Sequence, residues 1–194
     1  MHSPFVFGLV KNGFYRKQPL ITDVNCDSST GLSNTTLNIL FRVIAYFKSY
    51  KLIVLGEDAA ANAVAETMRQ AAEEINTKIW FYSTYVTVPG GIDLAILTGN
   101  DTSALLPLMN QLTDNTNNDS IAVIANIHQS KAMEQAWREI IKNPNVTVSI
   151  DAYHLGFLFF RKEQKKQHFV IRPFRSGVLD AFLGIRTLWG LLLR

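Results

Sequence analysis

KLIVLGEDAA, residues 51–60, is the stretch that decides the fold. Its apolar run Leu52–Leu55 is too short for a helix and predicts a buried strand, which Gly56 ends with a turn. Asp58 is a suitable N-cap for the helix that follows. The apolar residues of that helix recur at helical spacing and are Ala61, Val64, Ala65, Met68, Ala72 and Ile75. A strand that enters a helix through a glycine is the first unit of a nucleotide-binding α/β fold, because the helix N-terminus points spare N–H groups above the turn.

Alternating strand and helix patterns continue along the rest of the chain. We expect a short helix and a surface loop in residues 1–31, and helices over about 33–48, 59–75 and 102–112. A further helix carries the apolar stripe Met133, Ala136, Trp137, Ile140 and Ile141 and stops at Asn143-Pro144. Strands are predicted at 51–55, 78–82, 92–97, 121–125, 146–150, 155–160 and 168–171, with a short candidate strand at 86–88 and a polar loop at 113–119. The short link 151–154 makes two of them an antiparallel pair, and the whole pattern predicts a three-layer α/β sandwich.

Composition fits a globular protein of one domain. The chain has 194 residues, of which 47% are hydrophobic and 18% charged, so it is long enough to bury a sizeable core. Cys26 is the single cysteine, which excludes a disulfide framework and fits a reducing compartment. No apolar run reaches the length of about 18 residues that spans a bilayer, and Met1–Val10 lack the features of a signal peptide. We therefore expect a cytoplasmic protein.

Charge is distributed unevenly along the chain. Residues 1–160 carry 11 Lys and Arg against 14 Asp and Glu, a balance of −3, whereas residues 161–194 carry 8 against 2, a balance of +6. A basic tail on an acidic body suggests an anionic neighbour or an acidic partner surface, and a solvated charged end is the alternative.

Several stretches outside the glycine turn resemble those of one protein family. They are His2–Val6, Leu40–Phe47, Ile127–Lys131, Glu134, Ala136-Trp137, Ile150-Asp151, Gly156–Glu163 and His168–Arg172. With Leu55-Gly56, they resemble a bacterial family of class I S-adenosylmethionine-dependent methyltransferases of the small O-methyltransferase type. The resemblance covers most of residues 2–172. It implies a Rossmann-like, mostly parallel seven-stranded sheet with an antiparallel C-terminal strand, and an S-adenosyl-L-methionine cofactor over the carboxyl ends of the strands.

The resemblance also implies which residues would form the site. It places cofactor contacts at Gly56, Glu57, Asp58, Tyr82, Gly99 and Asn100 and catalysis at Asn126 and His128, with no metal. Several of the family's usual residues are replaced. Val54, Tyr82, Thr98 and Ala125 stand at four positions that are usually acidic, and Ala60 stands at a usual glycine. If each acidic contact is worth about 1.5–3 kcal/mol, losing two or three weakens binding by several orders of magnitude. The sequence therefore predicts a degenerate site, with S-adenosyl-L-methionine as its ligand or with no cofactor.

Three functions remain open at this point. The first is a non-catalytic protein that works through its surface, and the second is an active O-methyltransferase that acts on a small molecule through atypical contacts. In the second, His128 would be a general base, whereas the alternative is a histidine bonded to backbone in the turn. The third is a module that binds a partner or a membrane surface. We read Ser130 as a helix cap and Trp80, Trp137 and Phe157–Phe160 as core or interface, so no nucleic acid is expected.

Residues 173–194 form a second unit beyond the domain of residues 1–172. Pro173 breaks the last strand, and the residues after it predict an amphipathic helix with a wide apolar face. That face consists of Val178, Leu179, Phe182, Leu183, Ile185, Leu188, Trp189, Leu191, Leu192 and Leu193. Because an exposed face of this kind is a liability, we expect it to be covered by the body of the protein, by a second copy in a homodimer, or by a membrane surface or other partner.

Overall fold

The computed structural model describes residues 3–15, 32–56, 59–74, 80–82 and 87–171. Three features predicted from the sequence lie outside these ranges: the surface loop that contains Cys26, the carboxylates of Glu57 and Asp58, and the helix of residues 173–194. None of the helices in the described ranges has both the length and the apolarity that crossing a bilayer requires.

The centre of the fold is one β-sheet. Its strands are β1 (Lys51–Leu55), β2 (Trp80–Tyr82), β3 (Ile92–Leu97), β4 (Thr116–Ala125), β5 (Val148–Asp151), β6 (Leu155–Phe159) and β7 (Gln167–Val170). Within the described ranges, these form a seven-stranded sheet in the order β2-β1-β3-β4-β6-β5-β7. Strands β2, β1, β3 and β4 pair in parallel, and β6 runs antiparallel to both β4 and β5. The predicted pairing of the strands around link 151–154 is therefore confirmed.

The predicted direction of the C-terminal strand is wrong. β7 pairs in parallel with β5, with Val148 opposite Gln167, and the antiparallel strand is β6. The reason lies in the two short connections that follow β5. Each one reverses the chain, so β6 runs against β5, and β7 turns back and runs with β5 along its other side.

Helices cover both faces of the sheet. They are α1 (Pro4–Leu9), which continues into a π-helical turn at Val10–Phe14, α2 (Asn34–Phe47), α3 (Ala59–Glu74), α4 (Thr102–Thr113) and α5 (Lys131–Ile140). Alternate strand residues face opposite layers. Leu52 and Val54 of β1 pack in the core with α1, α2 and α3, whereas Ile53 and Leu55 pack in the core with α4 and α5. This arrangement is the predicted three-layer α/β sandwich, with a Rossmann-like order of strands and helices.

The region around residues 86–120 differs from its prediction. The predicted polar loop 113–119 ends early, because β4 already begins at Thr116. The first residues of β4 pair with β3, and the register of this pairing shifts between Ile92 and Leu94. Ser120 secures this irregularity, since its hydroxyl donates to the Ile92 carbonyl (2.6 Å) and accepts from the Asn117 N–H (2.7 Å). The candidate strand at 86–88 is wrong at its described residues, 87 and 88, which belong to no strand.

Candidate functional site

The carboxyl ends of the parallel strands bring most of the predicted site residues to one edge of the sheet. Leu55 lies opposite Leu97 and Leu97 lies opposite Ile124 in the strand register. Gly56, Thr98 and Asn126, which come just after these strands, therefore lie at the same edge. In open α/β sheets this edge is where ligands bind.

Gly56 forms the predicted glycine turn, and Thr98 explains why a glycine is needed there. Gly56 has φ +129°, a backbone conformation that favours glycine. A Cβ at this position would lie 2.5 Å from the Thr98 carbonyl oxygen and closer still to the Thr98 hydroxyl. Thr98 is only 2% exposed, and its N–H donates to the Leu55 carbonyl (2.9 Å). The carboxyl ends of β1 and β3 are thus in direct contact, with no space between Gly56 and Thr98.

The positions that usually carry acidic residues face the interior. Val54 is 4% exposed, Thr98 2% and Ala125 2%, so none of these side chains reaches an open edge. Tyr82 ends β2 and packs, half-buried, against the core on the side of α4 and α5. Apolar or uncharged side chains thus occupy the places where the resemblance implies carboxylate acceptors. The carboxylates of Glu57 and Asp58 belong to the undescribed part of this turn.

Gly99, Asn100 and Asp101 link this edge to α4. The side chain of Gln129 donates to the Gly99 carbonyl (3.4 Å) and to Asn100 Oδ1 (3.3 Å). Asp101 is the N-cap of α4, and its carboxylate accepts from the Ser103 hydroxyl (2.7 Å) and the Ala104 N–H (2.9 Å). The hydrogen bonds from Ser103 and Ala104 lower the pKa of Asp101. This carboxylate is thus bound to the start of the helix.

Asn126 begins the loop between β4 and α5, residues 126–130, which we call the connecting loop. Asn126 has φ +56° and is 7% exposed. Its N–H donates to the His154 carbonyl (2.7 Å), and its carbonyl accepts from the Gln129 N–H (3.0 Å). Ser130 ends the loop as the predicted cap of α5, since its hydroxyl accepts from the Met133 N–H (3.1 Å).

His128 lies between two carboxylates. Its Nε2 is 2.7 Å from Asp151 Oδ2, and its Nδ1 is 3.3 Å from Glu134 Oε1. The imidazole also stacks on the ring of Tyr153, with centroids 5.5 Å apart. The interpretation of His128 as a histidine bonded to backbone is therefore wrong. Its partners are two acidic side chains, one in the first turn of α5 and one 23 residues away at the end of β5.

The pKa of His128 bears on its predicted role as a general base. Burial alone lowers this pKa, but hydrogen bonds to Asp151 and Glu134 outweigh burial, so the net shift is upward. Protonated His128 donates from both ring nitrogens and has no lone pair with which to accept a proton. Burial and the charge of His128 both lower the pKa of His154. The two carboxylates thus favour the charged form of His128, an arrangement that opposes general-base catalysis.

Sequence reasoning gave no role to Asp151, Glu134 and Tyr153, which surround His128. The only available signal was Asp151 at the carboxyl end of a strand, a position where functional carboxylates often occur. Glu134 in the first turn of α5 resembles any acidic residue at a helix start. Among the described residues, no three His, Cys, Asp or Glu side chains are grouped so that they could hold a metal ion.

A cavity of about 770 Å³ lies at the opposite edge of the sheet, where β4 and β5 begin. Its lining consists of Thr113, Asp114, Thr116, Asn117, Asn118, Pro144, Asn145, Thr147, Phe160 and Lys162. The side chains of Asn117 and Asn118 already form hydrogen bonds within the protein. Asn117 donates to the Gly90 carbonyl (2.7 Å), and Asn118 donates to Glu163 (3.0 Å) and accepts from the Lys162 N–H (2.9 Å). None of the predicted site residues that the structure describes lines this cavity.

Comparison with known proteins gives a likeness in fold. No protein-family model and no curated protein sequence matches the chain. The structure of SAH-bound methyltransferase PaMTH1 of Podospora anserina matches this one with a TM-score of 0.50 and 9% sequence identity. The match covers 84% of this chain and 98% of PaMTH1. An O-methyltransferase family protein from Burkholderia thailandensis has 7% identity over 83% of this chain and 69% of its own (TM-score 0.37). A ribosomal protein L11 methylase from Lactobacillus delbrueckii subsp. bulgaricus has 18% identity over 66% of this chain and 78% of its own (TM-score 0.32). The likeness to PaMTH1 shows that the chain has a methyltransferase-like fold.

Proposed function

We propose that this chain is a non-catalytic protein with a methyltransferase-like fold, which acts through its surface and its C-terminal segment. One observation supports this proposal above all. At the carboxyl edge of the sheet, Val54, Thr98 and Ala125 are buried and uncharged where the resemblance implies acidic contacts.

Carboxylates near this edge have other partners. Asp101 caps α4, and Asp151 is bonded to His128 and accepts from the Tyr153 N–H (2.8 Å). Glu134 is bonded to His128 and to Arg138. If it relied on these described carboxylates, a cofactor with two ribose hydroxyls and an ammonium group would have to break their present contacts. Each charge-assisted hydrogen bond that is missing weakens binding by about 1.5–3 kcal/mol, or roughly tenfold to a hundredfold.

Calorimetric titration of the full chain with S-adenosyl-L-methionine, and separately with S-adenosylhomocysteine, tests the proposal. We expect dissociation constants in the millimolar range or weaker for both, since the lost contacts act on the shared adenosine and amino-acid groups. An active methyltransferase titrated with the same stocks is the control for ligand quality, and cooperative thermal unfolding shows that the chain under test is folded. Micromolar binding of either compound would overturn the proposal.

An active O-methyltransferase is the second candidate, and the backbone of the glycine turn favours it. Gly56 keeps a conformation that non-glycine residues rarely adopt, and Gly99 lies beside it at the same edge. In this alternative, Gly56, Tyr82, Gly99 and Asn100 contact the cofactor, and Asn126 orients a substrate hydroxyl. Transfer of a labelled methyl group to a panel of small phenols and alcohols would establish this function, provided that micromolar cofactor binding accompanies it.

A further inference from the structure

The connecting loop is joined to three parts of the structure. Through Asn126 and His128 it contacts the β5–β6 turn, residues 152–154, and Asp151 just before it. Through His128 it contacts Glu134 in the first turn of α5. Through Gln129 it contacts the loop that precedes α4. His128 is the one of these loop residues whose hydrogen-bonding capacity changes with its charge near neutral pH.

We propose that His128 is a protonation-dependent latch, which joins the first turn of α5 to the connecting loop and the β5–β6 turn when the imidazole is charged. A charged imidazole has two N–H donors, one for each carboxylate. A neutral imidazole has one donor, so one of the two carboxylates then faces a ring lone pair.

The geometry indicates which contact opens first. The Asp151 contact is shorter, at 2.7 Å against 3.3 Å for Glu134, and the Asp151 side chain is 10% exposed against 37% for Glu134. Glu134 has an alternative partner, since Arg138 Nη2 lies 3.2 Å from its Oε2. We infer that deprotonation keeps the bond between His128 and Asp151 and releases Glu134 toward Arg138. The first turn of α5 then separates from the connecting loop.

The backbone of the β5–β6 turn supports this inference. Tyr153 has φ +70°, a left-handed conformation that bulky residues rarely adopt. Two features hold it there: its N–H donates to Asp151 Oδ1 (2.8 Å), and its ring stacks on His128. His154 meets the Tyr153 ring edge-on at 4.8 Å. The Asp151 carboxylate thus holds both His128 and the strained turn, which favours the Asp151 contact over the Glu134 contact.

The charged and titratable groups around His128 come from every element packed against it. They are Glu134 and Arg138 of α5, Asp151 of β5, and Tyr153 and His154 of the turn. Burial and charged His128 lower the pKa of His154, so His154 loses its proton at a lower pH than His128 does. His128 is thus the histidine that changes charge at the higher pH.

The sign of the pH effect follows from the direction of the shift. Because the pKa of His128 is raised in the folded protein, the latch stabilises the fold fully below the pKa of an unfolded histidine. That stabilisation is lost as the pH rises through the folded pKa. The first turn of α5 therefore becomes more mobile once the pH exceeds the folded pKa of His128. This behaviour does not depend on whether a cofactor binds.

Amide hydrogen exchange of the full chain between about pH 5 and 9, corrected for the intrinsic exchange rate, tests the latch. Protection in the first turn of α5 should fall about tenfold or more across the transition, as expected for one hydrogen bond to a charged group, whereas the β5–β6 turn keeps its contact with His128 through Asp151. Protection in β3 should stay unchanged. His128→Gln has no titrating ring and should show low protection at every pH. His168→Gln is the matched control, because His168 bonds to Ser149 rather than to a carboxylate and should keep the normal profile.

A titration of the histidine ring protons by NMR gives an independent readout. The pKa of His128 should lie above that of an ordinary histidine, and Glu134→Gln should lower it while the protein stays folded. That second variant keeps the test valid if His128→Gln does not fold. The latch is disproved if His128 titrates at or below the ordinary value, or if protection in the first turn of α5 is independent of pH in the unaltered chain. The latch would also be disproved if the protection of these amides still depended on pH in His128→Gln.

Discussion

At the scale of single residues, Thr98 shows how closure of the strand ends affects polar groups. Its hydroxyl is buried, and among the residues that the structure describes it has no hydrogen-bond partner. A buried polar group without a partner costs about 1–3 kcal/mol. The close approach of Gly56 leaves no space beside this hydroxyl. Thr98 thus fills the strand end sterically and gains nothing from its polarity within this part of the fold.

Thr98→Val should therefore leave the free energy of unfolding unchanged or raise it by up to about 2 kcal/mol, because valine has nearly the same shape and no unsatisfied oxygen. Urea denaturation measures the change. Thr67→Val is the matched control, since Thr67 is 0% exposed but donates to the Ala63 carbonyl (2.9 Å). It should lose about 0.5–1.5 kcal/mol. A Thr98 variant that is less stable than the Thr67 variant would contradict this account and indicate a partner for the hydroxyl.

At the scale of elements, the packing of α5 on the sheet depends on Gly156 of β6. A Cβ at Gly156 would lie 2.5 Å from Trp137 Cζ3, and Trp137 is only 4% exposed. The indole occupies the space that any other residue at position 156 would need. A small residue in the strand thus allows a large one in the helix.

Gly156→Ala should destabilise the fold by about 1–3 kcal/mol through overpacking. Combined with Trp137→Leu, which removes the obstructing ring, the glycine substitution should lose much of its effect. Denaturation of both single variants and the double variant gives the coupling energy. Gly8→Ala is a control, because the nearest atom to its added methyl is the Tyr46 hydroxyl at 3.3 Å, the far end of a side chain. Strict additivity of the two substitutions would contradict the steric explanation.

At the scale of the whole molecule, the described residues end one position after β7. Ile171 is 8% exposed, and its N–H donates to the Asp151 carbonyl (2.8 Å), which continues the pairing of β7 with β5. The basic and apolar residues of 172–194 follow this point in the sequence. We propose that this segment joins two copies of the chain, in keeping with the non-catalytic function proposed above.

Removal of residues 172–194 should convert a dimer into a monomer and leave the fold of the body intact. Sedimentation velocity measures the association, and thermal unfolding followed by far-UV circular dichroism measures the fold. Leu188→Asp together with Leu192→Asp, in the full chain, provides a milder test, since charges on the apolar face should also give a monomer. A full chain that is already monomeric, or a truncated chain that remains a dimer, would disprove the proposed dimer.

Local patterns predicted much of the fold. The apolar run before Gly56 and the helical spacing after it fixed β1 and α3, and Ser130 correctly marked the start of α5. Such signals depend on residues only a few positions apart, where backbone preference and side-chain period act directly. The residues at the carboxyl edge of the sheet could also be predicted, because the carboxyl ends of parallel strands lie at the same edge.

What the sequence by itself determined was thus the succession of elements and the residues that reach the carboxyl edge of the sheet. Only the tertiary structure decided the direction of β7, the irregular pairing at the start of β4, and the partners of His128. Asp151 lies 23 residues from His128, and the contact exists because β5 returns to the sheet beside β6. Contacts of this kind depend on how distant segments pack, and the free energy of that packing is not encoded in any short stretch.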